Sequence, residues 1–277
     1  MGFISNMRWA LMVLGANAEV SRVDAVIIAA GRGSRLAETT QDVPKTLLPF
    51  GHDTILSTIL ANLSDVGIRR YIIVVGYQKD RIARYLRQNE NFGLEIALVE
   101  NSDWQKGNGI SVLASEGRIK TEEFLLSMSD HIVSVGALGR IVRAGRSTNL
   151  LLVDSRIGLI RDLDDATKVE VEGAAITNIG KDLKTYNAID CGIFRLNQTF
   201  FTSMREKLSE GKDSISAGVR SLIEKREIEA VFVGADDSWI DIDTNEAYEW
   251  ARERCTDLLK GSGTGSVWRG PRGDRLR

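Results

Sequence analysis

The chain has 277 residues, 43% hydrophobic and 27% charged, a globular composition with enough length for one large α/β domain. A net charge of −2 and a pI of about 5.9 argue against nucleic acid or anionic membrane held by bulk electrostatics. Cys191 and Cys255 stand far apart and outside any CxxC or Cys/His cluster, which argues against a disulfide framework or a zinc site and makes a cytoplasmic location the expectation.

No run approaches the roughly 18 apolar residues that span a bilayer. Residues 1–22 hold a short apolar piece behind Arg8 that leads straight into a strand; it reads as an N-terminal extension, not a secretory leader. Residues 25–30 form a continuous apolar run closed by glycine, the pattern of a buried parallel strand. Gly31-Arg32-Gly33-Ser34-Arg35 follows, a turn of small residues whose amides suit an anion, with the Arg35 fork suited to phosphate oxygens. Pro44-Lys45 adds a second cation behind a rigid turn.

Asp53 is positioned to cap a helix carrying Ile55, Leu56, Ile59, Leu60 and Leu63, which Gly67 ends. A strand is expected over 71–75, a turn at Gly76-Tyr77-Gln78 and a helix over 79–88. Another strand follows over 94–99, then Gly107-Asn108-Gly109 leads into a helix over 110–116, and a strand over 124–128 ends at Ser129-Asp130-His131. Beyond residue 150 the texture changes to short strands over 150–153, 168–171, 175–179 and 188–196, helices over 214–225 and 245–259, and a strand over 229–233. The pattern predicts an α/β fold: a Rossmann-like, mixed but mostly parallel sheet with helices on both faces. One domain is expected over 23–260, with two halves of different texture, followed by a Gly- and Arg-rich tail over 261–277. Ligands of such sheets sit at the carboxyl ends of strands, where the 31–35 loop, Gln78, Gly107, Gly109 and Asp130 all fall.

The turn after the first strand is not a dinucleotide fingerprint, because Leu36 stands where a third glycine belongs, and no Gly-Lys-Ser/Thr follows for a Walker loop. Asp130 emerges from a buried strand, and Asp241 and Asp243 sit in Trp239-Ile240-Asp241-Ile242-Asp243-Thr244. Carboxylates drawn together from these segments suit Mg²⁺, although strand-end aspartates also cap helices and Asp243 is well placed to do so. His131 reads as structural.

Gly31-x-Gly33-Ser34-Arg35-Leu36 followed by Pro44-Lys45 resembles the N-terminal signature of nucleotidyltransferases that join an NTP to a phosphorylated sugar or alcohol. The resemblance implies the nucleotide-diphospho-sugar transferase fold and a W-[LIV]-D-x-x-T motif whose aspartate, here Asp241, binds Mg²⁺ together with Asp130. It implies catalytic roles for Lys45 and Arg35, and nucleotide contacts from Ala29, Gly31, Gly33, Ser34, Gln78, Gly107 and Gly109. The reaction implied is attack of an acceptor phosphate on the α-phosphorus of an NTP with loss of pyrophosphate. No general base is required, since a phosphate monoester is already ionised at neutral pH.

Lys106-Gly107-Asn108-Gly109-Ile110-Ser111, Met128-Ser129-Asp130-His131, the Asp162–Val169 stretch DLDDATKV and the Tyr186–Gly192 stretch YNAIDCG narrow the resemblance, which spans residues 23–255, to the CTP:inositol-1-phosphate cytidylyltransferases. That branch implies CTP and a small phosphorylated polyol as substrates, CDP-inositol as product and a role in compatible-solute synthesis. Lys168 suits the acceptor phosphate, and Asp165, Asn187 and Asp190 suit hydroxyls, although each also fits a surface or strand-pairing position. Many relatives fuse this domain to a membrane CDP-alcohol phosphotransferase; a chain ending after a glycine-rich stub is expected to stand alone and to work with a separate such enzyme. A sugar 1-phosphate, phosphocholine or an aminoalkylphosphonate is the alternative acceptor, and a non-catalytic nucleotide-binding subunit the alternative class. Aromatics are only 6% of the chain, which disfavours a choline cage.

Overall fold

The computed structural model describes residues 23–36, 43–51, 53–145 and 148–254. The N-terminal extension, the Arg-rich tail and Cys255 lie outside the described residues. Strand β1 (Asp24–Ala29) is buried at every position because both of its faces are covered. Ala25, Ile27 and Ala29 enter one apolar cluster, and Val26 and Ile28 enter another on the opposite face. After the loop come the short pair β2 (Pro49–Phe50) and β3 (Asp53–Thr54), then helix α1 (Ile55–Asp65). Thr54 caps α1, not the expected Asp53: its side chain accepts from the Ser57 amide at 3.2 Å while Ser57 Oγ accepts from the Thr54 amide at 3.0 Å. Asp53 belongs to β3 and accepts from the Tyr85 hydroxyl at 2.7 Å.

The chain continues through β4 (Arg70–Val75), α2 (Lys79–Gln88), β5 (Glu95–Glu100), α3 (Asn108–Ser115), β6 (Glu123–Met128) and β7 (His131–Val133). Helix α3 starts earlier than expected and takes in Gly109. Helix α4 (Val135–Arg143), capped by Ser134, was not anticipated from the sequence. Next come β8 (Asn149–Asp154), β9 (Lys168–Glu172), β10 (Ala175–Gly180) and the long β11 (Ala188–Asn197). Asn197 then caps a second unanticipated helix, α5 (Gln198–Ser209). Helix α6 (Ile215–Glu224), β12 (Ile228–Phe232), β13 (Trp239–Asp241) and α7 (Asn245–Glu253) complete the described chain. The expected end of the last helix near residue 259 lies outside the described residues.

Nine strands form one sheet in the order β5-β4-β1-β6-β11-β8-β12-β10-β9. The β5-β4-β1-β6 half is parallel throughout, and β11 runs antiparallel to β6 and β8. Strand β9 also pairs back onto β11 through Ala188↔Val169 and Ile189↔Lys168, so the second half curls on itself. Helices α1, α2, α4 and α7 bury their apolar faces in one cluster, and α3, α5 and α6 in the other, which gives the expected helix–sheet–helix layering.

Candidate active site

At the carboxyl ends of β1 and β6 a cavity of about 510 Å³ opens between the two halves of the sheet. Gly31 faces it with open space where a Cβ would stand. Gly33 has a φ of +65°, and a Cβ there would meet Lys45 Cβ at 3.0 Å; only glycine both turns here and lets the lysine stem pass. Pro44 sets up the 3₁₀ turn Lys45–Leu47, its carbonyl accepting from the Leu47 amide at 2.8 Å. Lys45 is thereby 7% exposed, yet its ammonium reaches the cavity wall.

Two distant acidic segments meet through a small antiparallel ladder. Strand β7 pairs with β13, placing His131 opposite Asp241, and the Ile242 amide donates to the Asp130 carbonyl at 3.0 Å. Lys45 Nζ donates to Asp130 Oδ2 at 2.7 Å and to Asp243. Arg35 pairs with Asp243 at 2.7 Å and with Asp165, which in turn takes Lys181 at 2.7 Å. The resulting chain of alternating charges runs across the cavity from Asp130 to Lys181. Burial opposes the charge on Lys45, but Asp130, Asp243 and Asp241 hold its pKa above that of an ordinary lysine. The same lysine, with His131, holds Asp130 well below the usual carboxylate range against its own burial. Burial pushes Asp241 up to about 7, with Asp130 and Asp243 adding to the rise. Despite burial, Asp241 and Asp130 raise His131 to about 9.

Ligand atoms of Asp130, His131 and Asp241 all lie within 4.8 Å of one another. Asp241 Oδ1 is buried without a hydrogen-bond partner, an oxygen a cation would satisfy. These residues fit a divalent cation. His131 Nδ1 lies 2.8 Å from Asp130, and its ring stacks on Trp239 with centroids 5.9 Å apart. Trp239 Nε1 donates to the buried Asp154 at 2.9 Å, which fixes the stack.

Of the other residues singled out from the sequence, Asp165 and Asp190 line the cavity with Gly31, Gly33, Arg35, Lys45, Asp130 and Asp241. Asp190 accepts from the Gly192 amide at 2.7 Å, and burial raises its carboxyl to about 6. Ala29 is buried beside Val75 in the core. Gln78 adopts the left-handed region at the start of α2, with φ 50°. Gly107 and Gly109 are packed on the segment before α6: their amides donate to Asp213 Oδ2 at 2.7 Å and to the Asp213 carbonyl at 2.9 Å. Lys168 is buried and donates to the carbonyls of Lys181 at 2.8 Å, Asp164 at 3.3 Å and Ala166 at 3.5 Å, which ties the preceding loop down. Asn187 exchanges both hydrogen bonds with the Val171 backbone at 2.8 Å, as a strand-edge residue does. The side chain of Ser34 lies outside the described residues.

Asp243 reads from the sequence either as a Mg²⁺ carboxylate or as a helix cap, and the structure does not use it as the cap. Thr244 takes that role, accepting from the Ala247 amide at 3.1 Å, which leaves the Asp243 carboxylate to bridge Lys45 and Arg35. Thr46, Trp104, Arg161 and Trp250 also line the cavity and were not singled out.

Cations and carboxylates converging on one cavity at strand ends suit an enzyme that handles polyphosphates and a second anionic reactant. The model of the Nucleotidyl transferase family matches residues 24–257, and the chain belongs to that family. The chain is 35% identical over 248 residues to a bifunctional IPC transferase and DIPP synthase of Aquifex aeolicus, covering 88% of this chain and 55% of that one. It is 32% identical over 248 residues to the protein of the same name from Thermococcus kodakarensis, covering 88% of this chain and 54% of that one. The chain thus spans about half the length of these curated relatives. Among solved structures it resembles the inositol-1-phosphate CTP transferase from T. maritima, with 26% identity, a TM-score of 0.78, and coverage of 88% of this chain and 99% of that one. None of the helices described is long and apolar enough to cross a membrane.

Proposed function

We propose that this chain transfers the cytidylyl group of CTP to inositol 1-phosphate, giving CDP-inositol and pyrophosphate. The observation that carries the reading is the Lys45 ammonium, 7% exposed beside Gly33 and aimed at the carboxylates of Asp130 and Asp243. Its raised pKa makes it a permanent cation, unsuited to proton abstraction and suited to drawing two anions together. The acceptor phosphate is already ionised at neutral pH, so charge neutralisation and in-line placement are the work required.

In this reading the amides of the 31–35 loop and the Arg35 guanidinium hold the β- and γ-phosphates. Lys45 lies between the α-phosphate and the incoming phosphate, and leaves Asp130 and Asp243 to do so. Asp130 and Asp241 would hold Mg²⁺, which when bound neutralises the triphosphate and the departing pyrophosphate. Gln78, Gly107 and Gly109 stand on the nucleoside side, and Asp165 and Asp190 face the acceptor's hydroxyls. Lys168 supports the acceptor loop through its three carbonyls. The names of the similar proteins support CTP and inositol 1-phosphate as the pair. We place the reaction in the cytoplasm, with its product passed to a membrane CDP-alcohol phosphotransferase.

Pyrophosphate release in Mg²⁺ tests this with each of the four NTPs against inositol 1-phosphate, glucose 1-phosphate, phosphocholine and 2-aminoethylphosphonate. Release with CTP and inositol 1-phosphate is expected; release with another pair moves the substrate assignment, and release with none removes the activity.

A further inference from the structure

Asp241 and His131 reach the cavity on β13 and β7, a two-stranded ladder outside the nine-stranded sheet. Two strands of three residues hold little order by themselves, so their side chains need support from elsewhere. Trp239 lies two residues before Asp241 and shares its face of β13, and Asp241 stands opposite His131 in β7. The Trp239 ring stacks on the His131 ring with the planes 7° apart. Gly192 closes in on the same imidazole from the irregular stretch of β11: its φ is +72°, and a Cβ there would lie 2.5 Å from His131 Cδ2. The support behind Trp239 is Asp154, the last residue of β8, which is 2% exposed. Asp154 accepts four hydrogen bonds, each of 2.9 Å: Oδ1 from the Arg156 amide and Nε, Oδ2 from Arg156 Nη2 and Trp239 Nε1. Arg156 alone satisfies the buried charge, so the fourth bond serves the indole. Arg156 also donates to the carbonyls of Ala235 at 2.9 Å and Asp237 at 3.0 Å, which hangs the segment entering β13 from the same pair. Trp239 lines the cavity and Asp154 does not.

We propose that Asp154, acting through Trp239, is a positioning residue for the divalent cation; the inference rests on the reading above that Asp130 and Asp241 hold that cation. Asp154 anchors the indole to the end of a central strand. The anchored ring holds the His131 imidazole, whose Nδ1 lies 2.8 Å from Asp130, and the strand that carries the ring carries Asp241. The line from Asp154 through Trp239 and His131 to Asp130 thus sets both carboxylates from one buried point. Groups behind a metal's ligands fix their orientation, and losing such a group weakens metal binding although it never touches the ion.

Titration of the protein with Mn²⁺, with the free ion counted by electron paramagnetic resonance, tests the assignment. It needs neither nucleotide nor acceptor, so a failed activity assay leaves it readable. Asp241→Asn marks the site by removing its Mn²⁺ binding. Asp154→Asn keeps the shape but puts an amide nitrogen where one pair of donors pointed, and is expected to weaken Mn²⁺ about 10- to 100-fold. Trp239→Phe keeps a ring to stack on His131 without the N–H that anchors it, and is expected to weaken Mn²⁺ about tenfold. This second variant answers the question if Asp154→Asn fails to fold. The double variant is expected to be no worse than Asp154→Asn alone, since both changes cut one line. Arg140→Ala removes the 2.6 Å ion pair to Asp237 that ties down the same segment and leaves Trp239 intact. It is expected to lower the melting temperature with Mn²⁺ affinity kept within about twofold, which separates positioning from loss of stability. Unchanged Mn²⁺ affinity in Asp154→Asn or Trp239→Phe, an equal loss in Arg140→Ala, or no wild-type Mn²⁺ binding that Asp241→Asn abolishes, overturns the proposal.

Discussion

Asp241 shows how a single carboxylate reports on the site. Its Oδ1 is buried without a partner and burial raises its pKa to about 7, so below neutral pH the ligand-free protein holds a proton there that a cation must displace. Asp190 at about 6 and Asp241 at about 7 are both raised above the ordinary 3.8. The stability they contribute is complete below about pH 4 and is lost as pH rises through those values. His131, raised from 6.5 to about 9, contributes below about pH 6.5 and loses its contribution as pH rises through 9. All three slopes have the same sign, and the carboxylates held low, Asp130, Asp154 and Asp165 among them, have their full effect above about pH 6, so the melting temperature of the ligand-free protein is expected to fall between pH 6 and 9. Mg²⁺ is expected to raise it more at pH 8 than at pH 5.5, and Asp241→Asn is expected to remove most of that gain. Thermal melts with and without Mg²⁺ check this; a Mg²⁺ shift independent of pH, or intact in Asp241→Asn, would contradict it. Sequence motifs led to Lys45, Arg35, Asp130 and Asp241 because each is fixed by backbone features that spacing encodes. They did not show that Lys168 would be tied to three loop carbonyls, since such contacts depend on tertiary folding that no spacing records.

At the scale of elements, strands β1, β4, β5 and β6 and helices α1, α2 and α3 were legible because each carries an apolar run or a helical period. Helices α4 and α5 were not. Gly136 and Gly139 interrupt α4, and α5 opens with Thr199-Phe200-Phe201, a strand-like run that only its Asn197 cap and its burial against α6 convert to helix. The β7–β13 ladder was invisible for another reason: two three-residue strands about a hundred positions apart leave no periodicity, yet they bring Asp130 and Asp241 together. Gly109 shows how packing can stand behind a motif glycine. A Cβ there would lie 2.6 Å from Met204 Sδ and 2.7 Å from the Asp213 carbonyl oxygen. Gly109→Ala is therefore expected to destabilise the fold by about 1–3 kcal/mol, because backbone cannot yield as a side-chain tip can. Urea denaturation checks this, and an unchanged midpoint would show that α3 and the segment before α6 separate freely.

Across the whole molecule, the parallel half of the sheet presents the 31–35 loop and Asp130, the β7–β13 ladder adds Asp241, and the curled half presents Asp165 and Asp190. The charge chain Lys181–Asp165–Arg35–Asp243–Lys45–Asp130 ties the two halves together across the cavity. In the proposed reading, phosphates would replace protein carboxylates as the partners of Arg35 and Lys45, so the cations are in place before the reactants arrive. This division into halves was legible from the change of texture near residue 150; the closure of β9 onto β11 was not, because a register between strands of mixed direction is set by tertiary pairing. The account turns on attack at the α-phosphorus with Lys45 as the cation between the reactants. The most direct test gives the protein CTP labelled at the α-phosphate, with Mg²⁺ and inositol 1-phosphate, beside Lys45→Ala. The account predicts label in CDP-inositol with the wild type and product formation slower by about a thousandfold or more in the variant, the scale of a lost electrostatic contact to the transition state. Label left in CTP or CMP with the wild type, or full activity in Lys45→Ala, would contradict it.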